Sequence, residues 1–235
     1  MDQSTGSPSV TRRTGRSSVR VGAPPPAGGQ GAARSVESLQ HGADMPESYR
    51  VDPRDIFLRG RSIALKALTE QDVVHSGWYG WFNDEEVTRH MQQHYRPNSL
   101  EQQLEFWREL QRSGSKLQLG VVRLESPDKL LGCISLSAID HVSRKAEIGT
   151  VMGEPEGRDI RTYIEANQLL IRHAFETLNL RRIYGGTVIR EVADMMCRVI
   201  GFRHEGVARQ DVYKRGEFHD VYHIGLLREE FKQPK

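Results

Sequence analysis

Few side chains in this sequence can move a proton or hold an anion, and they are unevenly placed. The two cysteines, Cys133 and Cys197, sit in neither a metal-ligand spacing nor a disulfide framework, which fits a reducing compartment. Cys133 lies in an apolar run and reads as core. Cys197 has two readings: a buried structural thiol, which is favoured, or a proton donor with a pKa of about 8.5, close to what a departing thiolate needs. His141, His173, His204, His219 and His223 form no recognised ligand spacing, so no metal is expected. Glu147 is a strand carboxylate that could take a proton, face outward into solvent, or pair with Arg144 or Lys145. Arg158 and Arg161 flank the start of an apolar periodic run, and guanidinium groups there could pair with phosphate, although Asp159 adds a negative charge between them.

These groups need elements to position them. Ser62 to Leu68 alternates, with Ile63, Leu65 and Ala67 on one face, and reads as a half-buried strand. Asp84 before Glu85, and Ser99 with Gln102 three residues on, are N-cap signals. Two helices are therefore expected between the first and second strands. Leu117 to Leu124, Leu130 to Ile139 and Lys145 to Met152 read as an antiparallel meander. The period then changes: Ala166, Leu169, Leu170, His173, Ala174 and Leu178 recur at three and four, with Asp159 placed to cap the helix. Arg182 to Val188 reads as strand, Val192 to Ile200 as helix, and Gly201 as its left-handed stop. Two last strands, His204 to Tyr213 and Val221 to Leu227, flank the turn Lys214 to Glu217.

The core begins late in the chain. Between Met1 and Arg34 there are Arg12, Arg13, Arg16, Arg20 and Arg34, the run Pro24 to Pro26, and almost no large apolar groups, so residues 1–53 read as a disordered tail and 54–235 as one domain. The basic, acid-poor start suits a transit peptide, but its prolines and glycines argue against the amphipathic helix such a peptide forms. Met45 is a second candidate for the functional start. No apolar run can span a bilayer and no secretory signal is visible, so a cytoplasmic location is expected. A net charge of +2 is too small to imply specific nucleic-acid binding.

A family likeness is carried by Leu178-Asn179-Leu180-Arg181-Arg182-Ile183, Gly201-Phe202, Glu205-Gly206, Arg209, Gly216, Asp220 and Gly225-Leu226-Leu227. Upstream it is carried by Trp81-Phe82-Asn83-Asp84, Val87-Thr88, Gly132 and Glu147-Ile148-Gly149. In combination these resemble the RimJ/RimL-like branch of the Gcn5-related N-acetyltransferases (GNAT), over roughly residues 57 to 231. The resemblance implies an α+β fold: a mixed, mostly antiparallel twisted sheet of about seven strands flanked by helices, with the family's fourth and fifth strands splayed apart. Acetyl-CoA then lies in the opening between Ile148 to Gly153 and Ile183 to Val188, its diphosphate at the following helix start.

By the same likeness Glu147 is the general base and Cys197 stands where many relatives have the tyrosine that protonates the leaving thiolate. Val151, Met152, Gly153, Arg158, Arg161, Thr162 and Arg190 are the implied coenzyme-binding positions. Two positions that the family keeps small hold Arg161 and Tyr163 instead. Two classes of function are therefore carried forward: an N-acetyltransferase acting on a primary amine, or a member that keeps the fold as a non-catalytic binding module. For the enzyme, the acceptor is a nucleotide-linked amino sugar, with a protein N-terminus as the alternative. Trp78, Tyr79, Trp81, Phe82, Tyr95 and Trp107 are expected to be mostly core, with one or two lining an acceptor pocket. A homodimer is left open.

Overall fold

The computed structural model describes residues 51–89, 91–92 and 96–232, so most of the expected tail, and Tyr95, lie outside the described residues. The elements run β1 (Ile56–Arg59), β2 (Ile63–Ala67), α1 (Glu70–His75), α2 (Trp78–Trp81), α3 (Glu85–Thr88), α4 (Leu100–Arg112), β3 (Leu117–Arg123), β4 (Leu130–Asp140), β5 (Lys145–Met152), α5 (Ile160–Glu176), β6 (Arg182–Thr187), α6 (Arg190–Val199), β7 (Arg203–Lys214) and β8 (Glu217–Leu227). The strands form one sheet in the order β1-β2-β3-β4-β5-β6-β8-β7. Every neighbouring pair is antiparallel except β5 and β6.

The sheet has eight strands rather than about seven. The extra one, β1, is four residues long and sits at the sheet edge; its burial alternates, but Ile56, Phe57 and Leu58 are all apolar, so its sequence does not. Among the described residues four helical segments, not two, separate β2 from β3. Val51 is buried, and the Asp52 side chain caps a 3-10 turn over Pro53–Asp55.

Two apolar layers sandwich the sheet. On one face α5 and α6 cover Ile63, Leu65, Ile134, Leu136, Ala146 and Ile183; on the other, α1 to α4 cover Ala64, Val122, Leu130 and Cys133. The Ser62 to Leu68 run is therefore not half-buried. Ile63 through Lys66 and Leu68 are buried, with Ser62 and Ala67 exposed, because both faces of β2 are roofed. The caps position the helices. Asp84 accepts from the Glu86 N–H, Ser99 and Gln102 form a capping box, and Asp159 accepts from the Thr162 N–H. Gly201 closes α6 at φ +108, where a Cβ would stand 2.4 Å from the Glu230 carbonyl oxygen. Among the described residues no helix is long and apolar enough to cross a membrane.

Candidate functional site

Strands β5 and β6 run parallel and are paired only at Lys145 with Arg182, Ala146 with Ile183 and Glu147 with Tyr184. Beyond that third rung the two strands part, and hydrogen-bond parity shows what the fork exposes. The Gly153 N–H donates to the Leu131 carbonyl at 3.0 Å. With β5 in unbroken register on β4 from Glu147 to Met152, counting back by twos turns the backbone of Val151, Gly149 and Glu147 toward β4. The Ile148 N–H then meets the Tyr184 carbonyl in the last rung, and the Ile148 C=O with the N–H and C=O groups of Thr150 and Met152 face the gap. Across it, the Arg228 N–H donates to the Arg181 carbonyl, so Ile183, Gly185 and Thr187 turn to β8, while Arg182, Tyr184 and Gly186 turn to the gap. Of the implied coenzyme-binding positions on β5, the Met152 backbone faces the opening and that of Val151 faces β4.

Side-chain faces follow from the same alternation. Ala146 belongs to the α5 layer, with Ile148 and Met152 packed against it, whereas Val151 packs into the α1–α4 layer. Glu147 therefore points to the α1–α4 side, from the last closed rung of the fork. Its cross-strand neighbours there are Ser137 on β4 and Tyr184 on β6. Burial raises the Tyr184 phenol above its ordinary pKa, the negative charge of Glu147 adds to this, and Arg182 lies 5.7 Å from the ring centre. Tyr184 thus stays a proton carrier beside the carboxylate. A half-open groove of about 220 Å³, lined by Phe106, Glu109 and Leu110, adjoins a second of about 160 Å³ that reaches Gln118, Ser135 and Ser137. This groove opens on Glu147's face, one strand over.

Gly153 closes β5 beneath a tryptophan. A Cβ there would lie 1.9 Å from the Trp81 ring, whose Nε1 donates to Glu154 at 2.8 Å. Arg158 turns back, donating to the Gly153 carbonyl at 2.7 Å and lying 4.0 Å from Asp84. Arg161 is exposed on the first turn of α5. The same turn carries its own anion. The Asp159 carboxylate accepts from the Thr162 N–H and hydroxyl and from Arg123. Burial pushes the Asp159 carboxyl up, but those hydrogen bonds and Arg123 outweigh it and hold it below the usual carboxylate range. Tyr163 does not stand in front of the helix start. It packs against the α5-side core with its phenol beside Thr150 and Asn167, and burial raises its pKa.

The structure does not gather all the implied residues. Cys197 packs partly against the α5–α6 layer, on the opposite sheet face from Glu147; burial first, then Asp194, keeps its thiol above the ordinary pKa. Arg190 is exposed at the start of α6, 3.9 Å from Asp194. Glu147 is not held by Arg144, which instead donates to the Asn179 carbonyl and side chain. Trp78 and Trp81 are buried in the α1–α4 layer with Phe82 and Trp107 packed against them. Among the described residues no cluster of histidine, cysteine or carboxylate side chains could hold a metal.

The C-terminal motif also has a physical reading. Arg182 pairs with both oxygens of Glu205 directly over Gly225, where a Cβ would meet the Glu205 carboxylate at 2.2 Å. Three scattered motif residues thus make one ion pair laid on a glycine floor.

The family model for the acetyltransferase (GNAT) domain matches residues 62–197. YdaF of Bacillus subtilis (strain 168), which bears the name of a ribosomal N-acetyltransferase, is 41% identical over 108 residues, covering 45% of this chain and 58% of YdaF, so the match spans little more than half of that relative. YoaA of the same organism, an N-acetyltransferase by name, is 29% identical over 71% of this chain and 95% of its own. The structure of spermidine N-acetyltransferase from Vibrio cholerae in complex with CoA and spermine superposes with a TM-score of 0.64 at 20% identity, over 72% of this chain and 97% of that one, which speaks to the fold. With its forked parallel strand pair and this match, the chain belongs to the Gcn5-related N-acetyltransferase family, whose members are acyltransferases using acetyl-CoA.

Proposed function

We propose that this protein transfers the acetyl group of acetyl-CoA to the primary amine of a small molecule, with a nucleotide-linked amino sugar as the first acceptor class. The observation that carries this reading is the fork itself, with Glu147 on its closing rung and an open groove alongside. The Ile148 carbonyl and the backbone groups of Thr150 and Met152, beyond the last rung, fit the amide-bearing pantetheine arm of the coenzyme as a missing strand. Bound there, acetyl-CoA supplies the activated acyl carbon. Glu147 takes the proton from the attacking amine, directly or through a water; the C–N bond forms as the acyl C–S bond breaks, and that proton leaves on the sulfur as the CoA thiol. The Met152 N–H, aimed into the gap, is the backbone donor placed to polarise a carbonyl. Tyr184, held protonated, keeps a proton within reach of Glu147.

The diphosphate seat fits less well than the fork. Asp159 occupies one amide at the start of α5 and brings a negative charge, so Arg158 and Arg161 must supply the attraction. Asp159→Asn keeps an oxygen to cap Thr162 and removes the charge. It should tighten acetyl-CoA binding about threefold by isothermal titration. Unchanged or weaker binding would show that the diphosphate does not sit there.

A free-thiol release assay with a nucleotide-linked amino sugar, spermidine and a short peptide with a free N-terminus tests the reading. Turnover of the sugar above the other two supports it. The peptide outpacing the sugar would favour the second reading, a protein N-terminal acetyltransferase, which the 41% identity to YdaF supports. No thiol release, together with no rise in Tm at millimolar acetyl-CoA, would leave a binding module built on the same fold.

A further inference from the structure

The Gly186 carbonyl faces the gap two residues beyond the closing rung, about 7 Å along β6 at the usual strand rise. In a continuous sheet a β5 amide would satisfy it. Here the Gln92 side-chain Nε2 donates to it at 2.6 Å, across 94 residues of sequence. A carboxamide is the side-chain group nearest to a peptide in donor geometry, so Gln92 replaces the absent strand at this one position. Glycine at 186 is what admits it, since a Cβ would stand 3.1 Å from the Gln92 nitrogen and 2.9 Å from the Val221 side chain.

The segment that carries Gln92 is tied down from a second direction. Lys214, at the end of β7, donates to the carbonyls of Thr88 and Met91, the last acceptors of α3 and its exit. Arg215 in the same hairpin pairs with Glu85. The hairpin turn holds these two side chains in place, with Arg215 and Gly216 both at positive φ as a tight two-residue turn requires. Glu85, Thr88, Met91 and Gln92 are thus fastened to β6, β7 and the β7–β8 turn, on the face that Glu147 shares.

We propose that Gln92 is a positioning residue for acyl transfer: its carboxamide, fixed on the Gly186 carbonyl, seats itself and the tethered end of α3 against the open fork as a wall along which the acceptor amine approaches. The inference rests on the acetyltransferase reading above. It predicts a division between the two substrates, because the coenzyme arm lies along β5 whereas Gln92 holds β6 from the acceptor side.

Gln92→Glu is the decisive variant, as it preserves shape and sets a carboxylate against a carbonyl. With the wild type's best acceptor among the amino sugar, spermidine and peptide probes, the KM for that amine should rise about tenfold, which is about 1.4 kcal/mol. The KM for acetyl-CoA should stay within about twofold and the Tm within a few degrees, a split that a merely destabilised fold would not give. Lys214→Met, remote from the fork, should move the amine KM in the same direction by about threefold. Wild-type values for Gln92→Glu, or an equal rise in both KM values, would overturn the proposal while leaving the acetyltransferase reading intact. Wild-type protein silent on all three probes would overturn both.

Discussion

Glu147→Gln should lower kcat by about 100-fold while leaving acetyl-CoA affinity within about a factor of two. The size follows from what a positioned base contributes, and the selectivity follows from where Glu147 stands. It projects to the α1–α4 face from the last rung that β5 and β6 share, whereas the coenzyme-facing groups of β5 are the Ile148 carbonyl and the backbone of Thr150 and Met152. Glutamine keeps the shape beside Ser137 and Tyr184 and cannot accept the amine's proton. Titration with acetyl-CoA and steady-state kinetics on the same protein separate the two effects. Unchanged turnover would remove Glu147 from the mechanism. A loss of coenzyme affinity as large as the loss of turnover would make it part of the binding surface instead.

A companion test concerns Tyr184. With Tyr184→Phe the proton reservoir beside Glu147 is gone but the packing under Arg182 remains, so kcat should fall by about 10-fold with Tm unchanged. No change in kcat would leave the phenol a structural neighbour.

Much of this was legible in the sequence where a local signal and the tertiary structure agree. Asp159, Ser99 and Asp84 cap the helices their spacing predicts, and Gly201 ends α6 in the left-handed region. The segment Lys145–Met152 is a strand at both of its predicted ends. What could not be read is what depends on the second layer or on distant partners. Lys66 looks like an outward residue in an alternating strand and is buried only because α1 covers that face. The Thr69 and Asp72 capping box was a visible signal for α1, but the helix it starts is six residues long and shows no periodicity of its own. Gln92 and Gly186 meet across a gap that exists only because two strands fail to stay paired, so neither residue alone marks the site. Tyr184 could have been found: it follows Arg182 by two residues on a strand aligned with Glu147. Arg161 and Tyr163 departed from the family's small residues, but only coordinates show that the Tyr163 ring turns inward toward Thr150.

Asp72→Ala should cost about 3–5 kcal/mol of stability, a large part of what holds a domain of this size together. Both partners of the Lys66–Asp72 pair are sealed from water, at 1% and 0% side-chain exposure, and the lysine Nζ reaches both carboxylate oxygens at 2.7 and 2.6 Å. The carboxylate also accepts from the Thr69 N–H and hydroxyl at the start of α1. Removing it leaves a buried ammonium whose other recorded carboxylate, Asp55, is 3.9 Å away, and strips α1 of its reciprocal cap. A paired replacement, Lys66→Met with Asp72→Leu, removes both charges and should recover most of the loss, because desolvating an ion pair offsets much of what the pair returns. Urea denaturation of Lys66→Met, Asp72→Leu and the double variant measures this as a coupling energy. The pair fastens α1 to β2 and so anchors the helical layer that roofs Glu147's face. Asp72→Ala should therefore lose acceptor affinity near its lowered Tm before it loses acetyl-CoA binding. If Asp72→Ala unfolds at the wild-type urea midpoint, the pair is not what holds that layer on the sheet.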